Sequence, residues 1–178
     1  MARRSRVRSG TFFLRKTLAT SGTTFQTTSI DVSSFVDVLD GELLRIKQVW
    51  WDWQTDGGGP VIGADLGASK GCSALASLST ESRTTTGNLG SNDVISLNYL
   101  YAHSDSNTLI DMITNATSVN PADFDNGFLV ATDAIHLNAD ESINVFANPV
   151  SVMALMECEI VKLSLSDAQA VLVSQTIG

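Results

Sequence analysis

The chain has 178 residues, one domain's worth of sequence and enough to bury a hydrophobic core without disulfide or metal staples. Charged residues make up only 17% and apolar residues 43%, so Ser, Thr, Asn and Gly must cover much of the surface, a composition suited to burial against partners. The net charge of -8 is unevenly spread: Arg3, Arg4, Arg6, Arg8, Arg15 and Lys16 supply six of the eleven basic residues and residues 1–16 hold no acid, which leaves five basic and nineteen acidic residues, a net of −14, for the remainder.

Residues 1–22 are Arg-, Ser- and Thr-rich and carry too little apolar surface to order themselves alone, so the reading is a flexible basic arm feeding a domain over 23–178. Phe12, Phe13 and Leu14 are cut off by Arg15 and Lys16, too short an apolar run for a signal-peptide core or a membrane span, and synthesis in the cell interior is expected. A first strand is expected from about Phe25 to Ile30, where β-branched residues concentrate. After the Asp40-Gly41 turn pair, Glu42 to Gln54 has no helical period and is the strongest strand in the chain, with Leu44, Ile46 and Trp50 on one face and Arg45, Lys47, Val49, Trp51 and Trp53 on the other. Asp56-Gly57-Gly58-Gly59-Pro60 ends it.

Residues 63–92 read as a long Gly/Ala/Ser/Thr excursion with one short element near Leu75 to Leu78. Val94 to Tyr101 alternates as a strand. Asn107 as N-cap, with Leu109, Met112 and Ile113 at helical spacing, predicts one or two helical turns. Strands follow over Gly127–Leu137, Ser142–Ala147 and Val150–Leu165. In the last of these the apolar phase changes near Ile160, which predicts a bulge or bend there. Ser166 and Gln169 are spaced as a capping box, so a short C-terminal helix is expected through about Ser174. Seven or eight strands with helices only in the connections define an all-β sandwich.

Catalytic patterns are missing from the sequence. Gly57-Gly58-Gly59 lacks the Lys-Ser/Thr of a phosphate-cradling loop, and His103 and His136 have no Gly-x-Ser-x-Gly elbow to serve. Cys72 and Cys158 are far apart and form no close metal-ligand pair with either histidine, so two free thiols are the reading. Asp123-Phe124-Asp125-Asn126-Gly127 begins like a calcium loop, but its glycine comes one residue early and Ala134 stands where the bidentate Glu belongs. No cofactor is expected, apart from a calcium ion bridging such carboxylates between like subunits. Asn115-Ala116-Thr117 matches a glycosylation sequon by chance.

Two features carry function. Four arginines in six residues, Arg3 to Arg8, suit sequence-independent neutralisation of phosphates. Trp50, Trp51 and Trp53 at strand spacing suit core on one face and subunit interface, through Trp51 and Trp53, on the other; the same ridge could instead stack a sugar.

The basic stretch Arg3-Arg4-Ser5-Arg6-Val7-Arg8, the Thr/Ser-rich linker and the strand pattern from Phe25 to Leu165 together resemble the small single jelly-roll capsid proteins of icosahedral viruses. The resemblance implies eight strands in two facing four-stranded sheets, a structural and non-enzymatic role in the virion, and self-assembly into a shell. It also implies an arm on the shell's inner side, with Arg3, Arg4, Arg6, Arg8, Arg15 and Lys16 toward genome nucleic acid or an internal membrane. The arm is short and the body acidic, which leaves room for a second coat protein as a further partner. The alternative is a soluble jelly-roll module that binds a carbohydrate or receptor through the Trp-rich strand.

Overall fold

The computed structural model describes residues 6–20, 24–55, 58–67, 71–88, 90–114, 119–143 and 146–176, which form two antiparallel sheets stacked face to face. The first contains β1 (Arg6–Val7), β2 (Phe12–Ala19), β4 (Glu42–Thr55), β8 (Phe128–Val130) and β10 (Val150–Lys162). The second contains β3 (Gln26–Asp31), β5 (Gly71–Ser79), β6 (Val94–Asp105), β7 (Thr108–Thr114) and β9 (Ala134–Ile143). In the first sheet the order is β1-β10-β4-β8, with β2 following β1 along the same side of β10; in the second it is β3-β9-β5-β6-β7. Most neighbours are distant in sequence, and the interleaving of β2-β10-β4-β8 with β3-β9-β5-β6 is the double Greek key of a jelly roll.

The long central pair β4 and β10 organises the core. Along β10, Val152, Ala154, Met156 and Cys158 are fully buried, and their register partners on β4 are Trp53, Trp51, Val49 and Ile46. These residues meet Cys72, Ala74, Ala76 and Leu78 of β5 and Ile135, Leu137 and Ala139 of β9 in one cluster. A second, smaller cluster lies at one end of the first sheet's outer face, where α2 (Leu165–Thr176) covers Leu43, Ala131 and Val161 with Ala168. Gln175 anchors that helix: its side chain donates to Leu129 O and accepts from Ala131 N at 3.1 Å. At the same end Gly41 has φ +73 and a Cβ there would lie 2.6 Å from Leu163 O, so the turn before β4 closes against the chain after β10 only as glycine.

Several expectations are corrected. The arm does not run to residue 22: β1 and β2 both pair with β10, because Phe12, Leu14 and Leu18 alternate inward and reach the core from the edge. The excursion over 63–92 contains a nine-residue central strand, β5, as well as the short helix α1 (Gly63–Leu66). It escaped notice because Ala and Ser are weak strand formers, yet a strand buried on both faces needs small side chains. On its outer side Ser77 and Ser79 accept from Asn138 Nδ2 at 3.4 and 2.9 Å, and Thr27 Oγ1 donates to Asn138 Oδ1 at 2.8 Å.

The helix expected after Asn107 is a strand, β7. Ser106 and Asn107 have φ of 49 and 65, the two positive values of a type I′ hairpin turn, so β6 folds straight back into β7. The phase change near Ile160 has another origin than a slip in β10. Pairing shifts between Glu157 and Cys158 because Lys47 is an extra residue on β4, and Val161 is buried on the outer face by α2. The C-terminal helix forms as expected, but Ser164 caps it, exchanging hydrogen bonds with Asp167 at 2.5 and 3.3 Å, two residues before the Ser166-Gln169 pair.

Candidate functional site

The bulge at Lys47 decides what the tryptophans do. Before it Leu44 and Ile46 point inward; after it Val49, Trp51 and Trp53 take the inward phase and Trp50 is thrown outward. Trp53 is 6% exposed and its indole donates to Asn98 Oδ1 of the opposite sheet at 2.7 Å. Trp51 donates likewise to Ser96 Oγ at 3.0 Å, and that hydroxyl donates on to Val119 O at 2.6 Å. Trp51 and Trp53 therefore belong to the interior and tie the two sheets together; the expectation that they form a subunit interface is overturned, since an indole engaged across the core cannot face a partner.

The outward tryptophan lies in a different constellation. Trp50 is 40% exposed and Phe13 59%, with ring centroids 6.2 Å apart. The register places Phe13, Glu157 and Gln48 in one row, Arg15, Leu155 and Trp50 in the next, and Thr17, Met153 and Asp52 in a third, all on the outer face of the first sheet. Gln54 Nε2 donates to Asp52 Oδ2 at 2.5 Å beside this patch. Below it, on the side of α2, Lys47 and Glu157 pair at 2.7 Å and Arg45 pairs with the buried Glu159. The hydrogen bond from Lys47 to the Glu157 carboxylate raises the lysine's pKa above its ordinary value.

The second sheet has its own uncovered surface. Tyr99 and Tyr101, 37% and 42% exposed, share the outer face of β6 with His103, and Ile113 and Asp111 of β7 lie opposite Tyr101 and His103. Ile110, Met112 and Ile113 are exposed along the edge strand itself. The edge strand was missed from the sequence because the apparent helical spacing of Leu109, Met112 and Ile113 masked it.

The basic residues are dispersed. Arg3 and Arg4 lie outside the described residues. Arg6 stands opposite Lys162 in β1, and Arg8 pairs with Glu42 while its backbone N donates to Ile160 O at 2.8 Å. Arg15 is exposed on the outer face of β2, whereas Lys16 falls on the inward phase and is half-buried at the edge.

The acidic loop is occupied locally. Asp123 accepts from Asn120 N at 3.0 Å, and Asn120 pairs its side-chain amide with the backbone of Val49, accepting from N at 3.1 Å and donating to O at 2.5 Å. Among the described residues no group of three or more His, Cys, Asp and Glu side chains is placed to hold a metal ion. Cys72 and Cys158 are buried in opposite sheets, and burial pushes the Cys158 thiol up to about 12, which keeps it protonated. His103 is exposed and His136 half-buried. The sequon Asn115-Ala116-Thr117 lies outside the described residues.

Fold and surfaces together define a single jelly-roll sandwich with exposed aromatic side chains on both outer faces and exposed apolar ones along the β7 edge, while Leu39, Ile62, Phe124, Leu165 and Val173 are exposed elsewhere. Among solved structures the chain is similar to the VP1 pentamer of Human Polyomavirus 7, with a TM-score of 0.49, 6% identity, and 90% of this chain and 99% of that chain covered. It is similar to VP1 of Trichodysplasia spinulosa-associated polyomavirus in complex with GM1 oligosaccharide, with a TM-score of 0.48, 10% identity, and 89% and 97% covered. A third similarity is to Desmodium yellow mottle tymovirus, with a TM-score of 0.41, 14% identity, and 91% and 90% covered. These are likenesses of fold, at identities too low to transfer the role of any residue. No family model and no curated protein matches the sequence.

Proposed function

We propose that this chain is a structural subunit of an icosahedral viral shell, assembled through contacts between copies of itself. The observation that carries the reading is the placing of uncovered aromatic surface on both outer faces of one sandwich: Phe13 and Trp50 on the first sheet, Tyr99 and Tyr101 on the second. Neighbouring exposed aromatic side chains of this kind mark interaction surfaces. They face in opposite directions, so the first patch of one copy set on the second patch of the next is a head-to-tail contact, which closes into a ring when its rotation divides a full turn. The low charge of the surface, 17% over the whole chain, puts little repulsion in the way.

In this reading the basic start of the chain lies toward the shell interior. Arg3, Arg4 and Arg6 are few, and each contact with a phosphate would contribute about 0.9 to the slope of log affinity against log salt. Genome nucleic acid or the headgroups of an internal membrane offer the same anionic chemistry, and a second coat protein would supply whatever neutralisation the short arm does not. Sedimentation and negative-stain microscopy of the purified chain in 0.15 M salt should show rings or shells. A strict monomer at high concentration, unmoved by salt or pH, would overturn the proposal. Arg3→Glu with Arg4→Glu should lower the nucleic acid carried by the particles without dissolving them.

A second reading rests on Trp50. Its exposed indole and Phe13 lie among Gln48, Asp52, Gln54 and Arg15, flat rings flanked by planar polar side chains, which is the chemistry that stacks a sugar and hydrogen-bonds its hydroxyls. Glycan binding that Trp50→Ala abolishes while particles persist would establish it; no glycan bound by intact particles would remove it.

A further inference from the structure

Among the described residues the two sheets have four edges, and three are closed to strand addition. The first sheet ends on one side in β1 and β2, which carry Arg6, Arg15 and Lys16; on the other side it ends in β8, only three residues long, beyond which Asn120 occupies the backbone of Val49. On the second sheet β3 reads Gln-Thr-Thr-Ser-Ile-Asp, with Ile30 half-buried as its one large apolar residue. Charge, shortness, polarity and capping are the ordinary ways of blunting an edge.

The fourth edge carries little of this protection: one acid, and the extra residue Ile110 where its pairing with β6 shifts. β7 reads Thr-Leu-Ile-Asp-Met-Ile-Thr over Thr108–Thr114: seven residues, one charge, no Lys, Arg or Pro. The strand pairs with β6 along one side, and Gly63 of α1 packs against the backbone of Thr108 and Leu109, but beyond them Ile110 is 60% exposed and Met112 and Ile113 are 43% exposed. A largely apolar strand left open over residues 110–114 is a template for another strand.

We propose that β7 of one copy pairs antiparallel with β7 of a second copy about a two-fold axis, so that the second sheet continues from one molecule into the next; this rests on the self-assembling role proposed above. A second copy is the occupant because a two-fold axis brings the same strand in antiparallel, and because a nearly neutral edge asks for no oppositely charged partner. Its outer-face neighbours Tyr101 and Ile113 also belong to a surface already assigned to contacts between copies. The register follows from the side chains. Residues opposite one another must share a face, so the axis passes through a residue. An axis at Asp111 would set two carboxylates directly opposite, and one at Ile110 would fall on the extra residue where the β6–β7 pairing shifts between His103 and Ser104. Placed at Met112, the axis pairs Met112 with itself, Asp111 with Ile113 and Ile110 with Thr114.

Single-cysteine crosslinking tests this on the whole chain, since Cys72 and Cys158 are buried. Under mild oxidation Met112→Cys should give a disulfide-linked dimer and Thr108→Cys should not, because a residue on the axis meets its own copy at roughly 5 Å between Cβ atoms while Thr108 does not. In sedimentation, Met112→Lys should weaken association at least tenfold with an unchanged circular dichroism spectrum. If the native chain assembles while Met112→Cys does not crosslink and Met112→Lys assembles equally well, the edge pairing is wrong and the shell role stands. If the native chain stays monomeric at millimolar concentration, both fall.

Discussion

The two faces of β4 beyond Lys47 are built from the same residue type and serve opposite ends. Inward, Trp51 and Trp53 are packed between the sheets with their N–H groups committed to Ser96 and Asn98; outward, Trp50 is left against Phe13 in solvent. The difference lies in one extra residue, because a one-residue insertion in a strand exchanges its faces for every position that follows. A tryptophan's role here is therefore a property of register, not of the tryptophan.

Removing the extra residue should break the comparison most severely. Deletion of Lys47 would turn Trp50 inward and expel Trp51 and Trp53, and we expect no cooperative unfolding transition and loss of the near-ultraviolet dichroism of the buried indoles. Next comes Trp53→Ala, which empties core volume and removes the indole's hydrogen bond to Asn98 Oδ1, at a cost of about 3–5 kcal/mol in urea denaturation. Asn120→Ala keeps the core but uncovers the N–H and C=O of Val49 on the β4 edge; removing the two bonds that close this edge should cost about 1–3 kcal/mol in the same measurement. Trp50→Ala should be the mildest in the monomer, within about 0.5 kcal/mol of the native chain, while lowering assembly or glycan binding. A Trp50→Ala chain destabilised as much as Trp53→Ala would show that the two faces are not distinct.

Legibility in the sequence followed the strength of local signals. β4, β6 and β10 alternate clearly enough to be read directly, and the C-terminal helix announced itself through a serine cap even though Ser164 rather than Ser166 supplies it. β5 was hidden because its Ala and Ser residues look like a loop until neighbours cover both faces. β7 was hidden because Leu109, Met112 and Ile113 fit a helix, and only the positive φ angles of Ser106 and Asn107 turn the chain back as a hairpin. For the candidate site, the importance of the tryptophan strand was readable and its orientation was not; Phe13, Tyr99 and Tyr101 gave no separate signal, since an exposed aromatic and a buried one have the same place in a strand pattern.

By itself, the amino-acid order determined an all-β body of low charge with a basic beginning, because composition and two-residue alternation are local quantities. Which face of each strand is buried, which sheet edge stays open and which tryptophan meets solvent were decided by the tertiary structure. Those outcomes depend on strand partners more than a hundred residues away, as in the pairing of Leu155 with Trp50, and on a bulge that exists only once two strands are laid side by side.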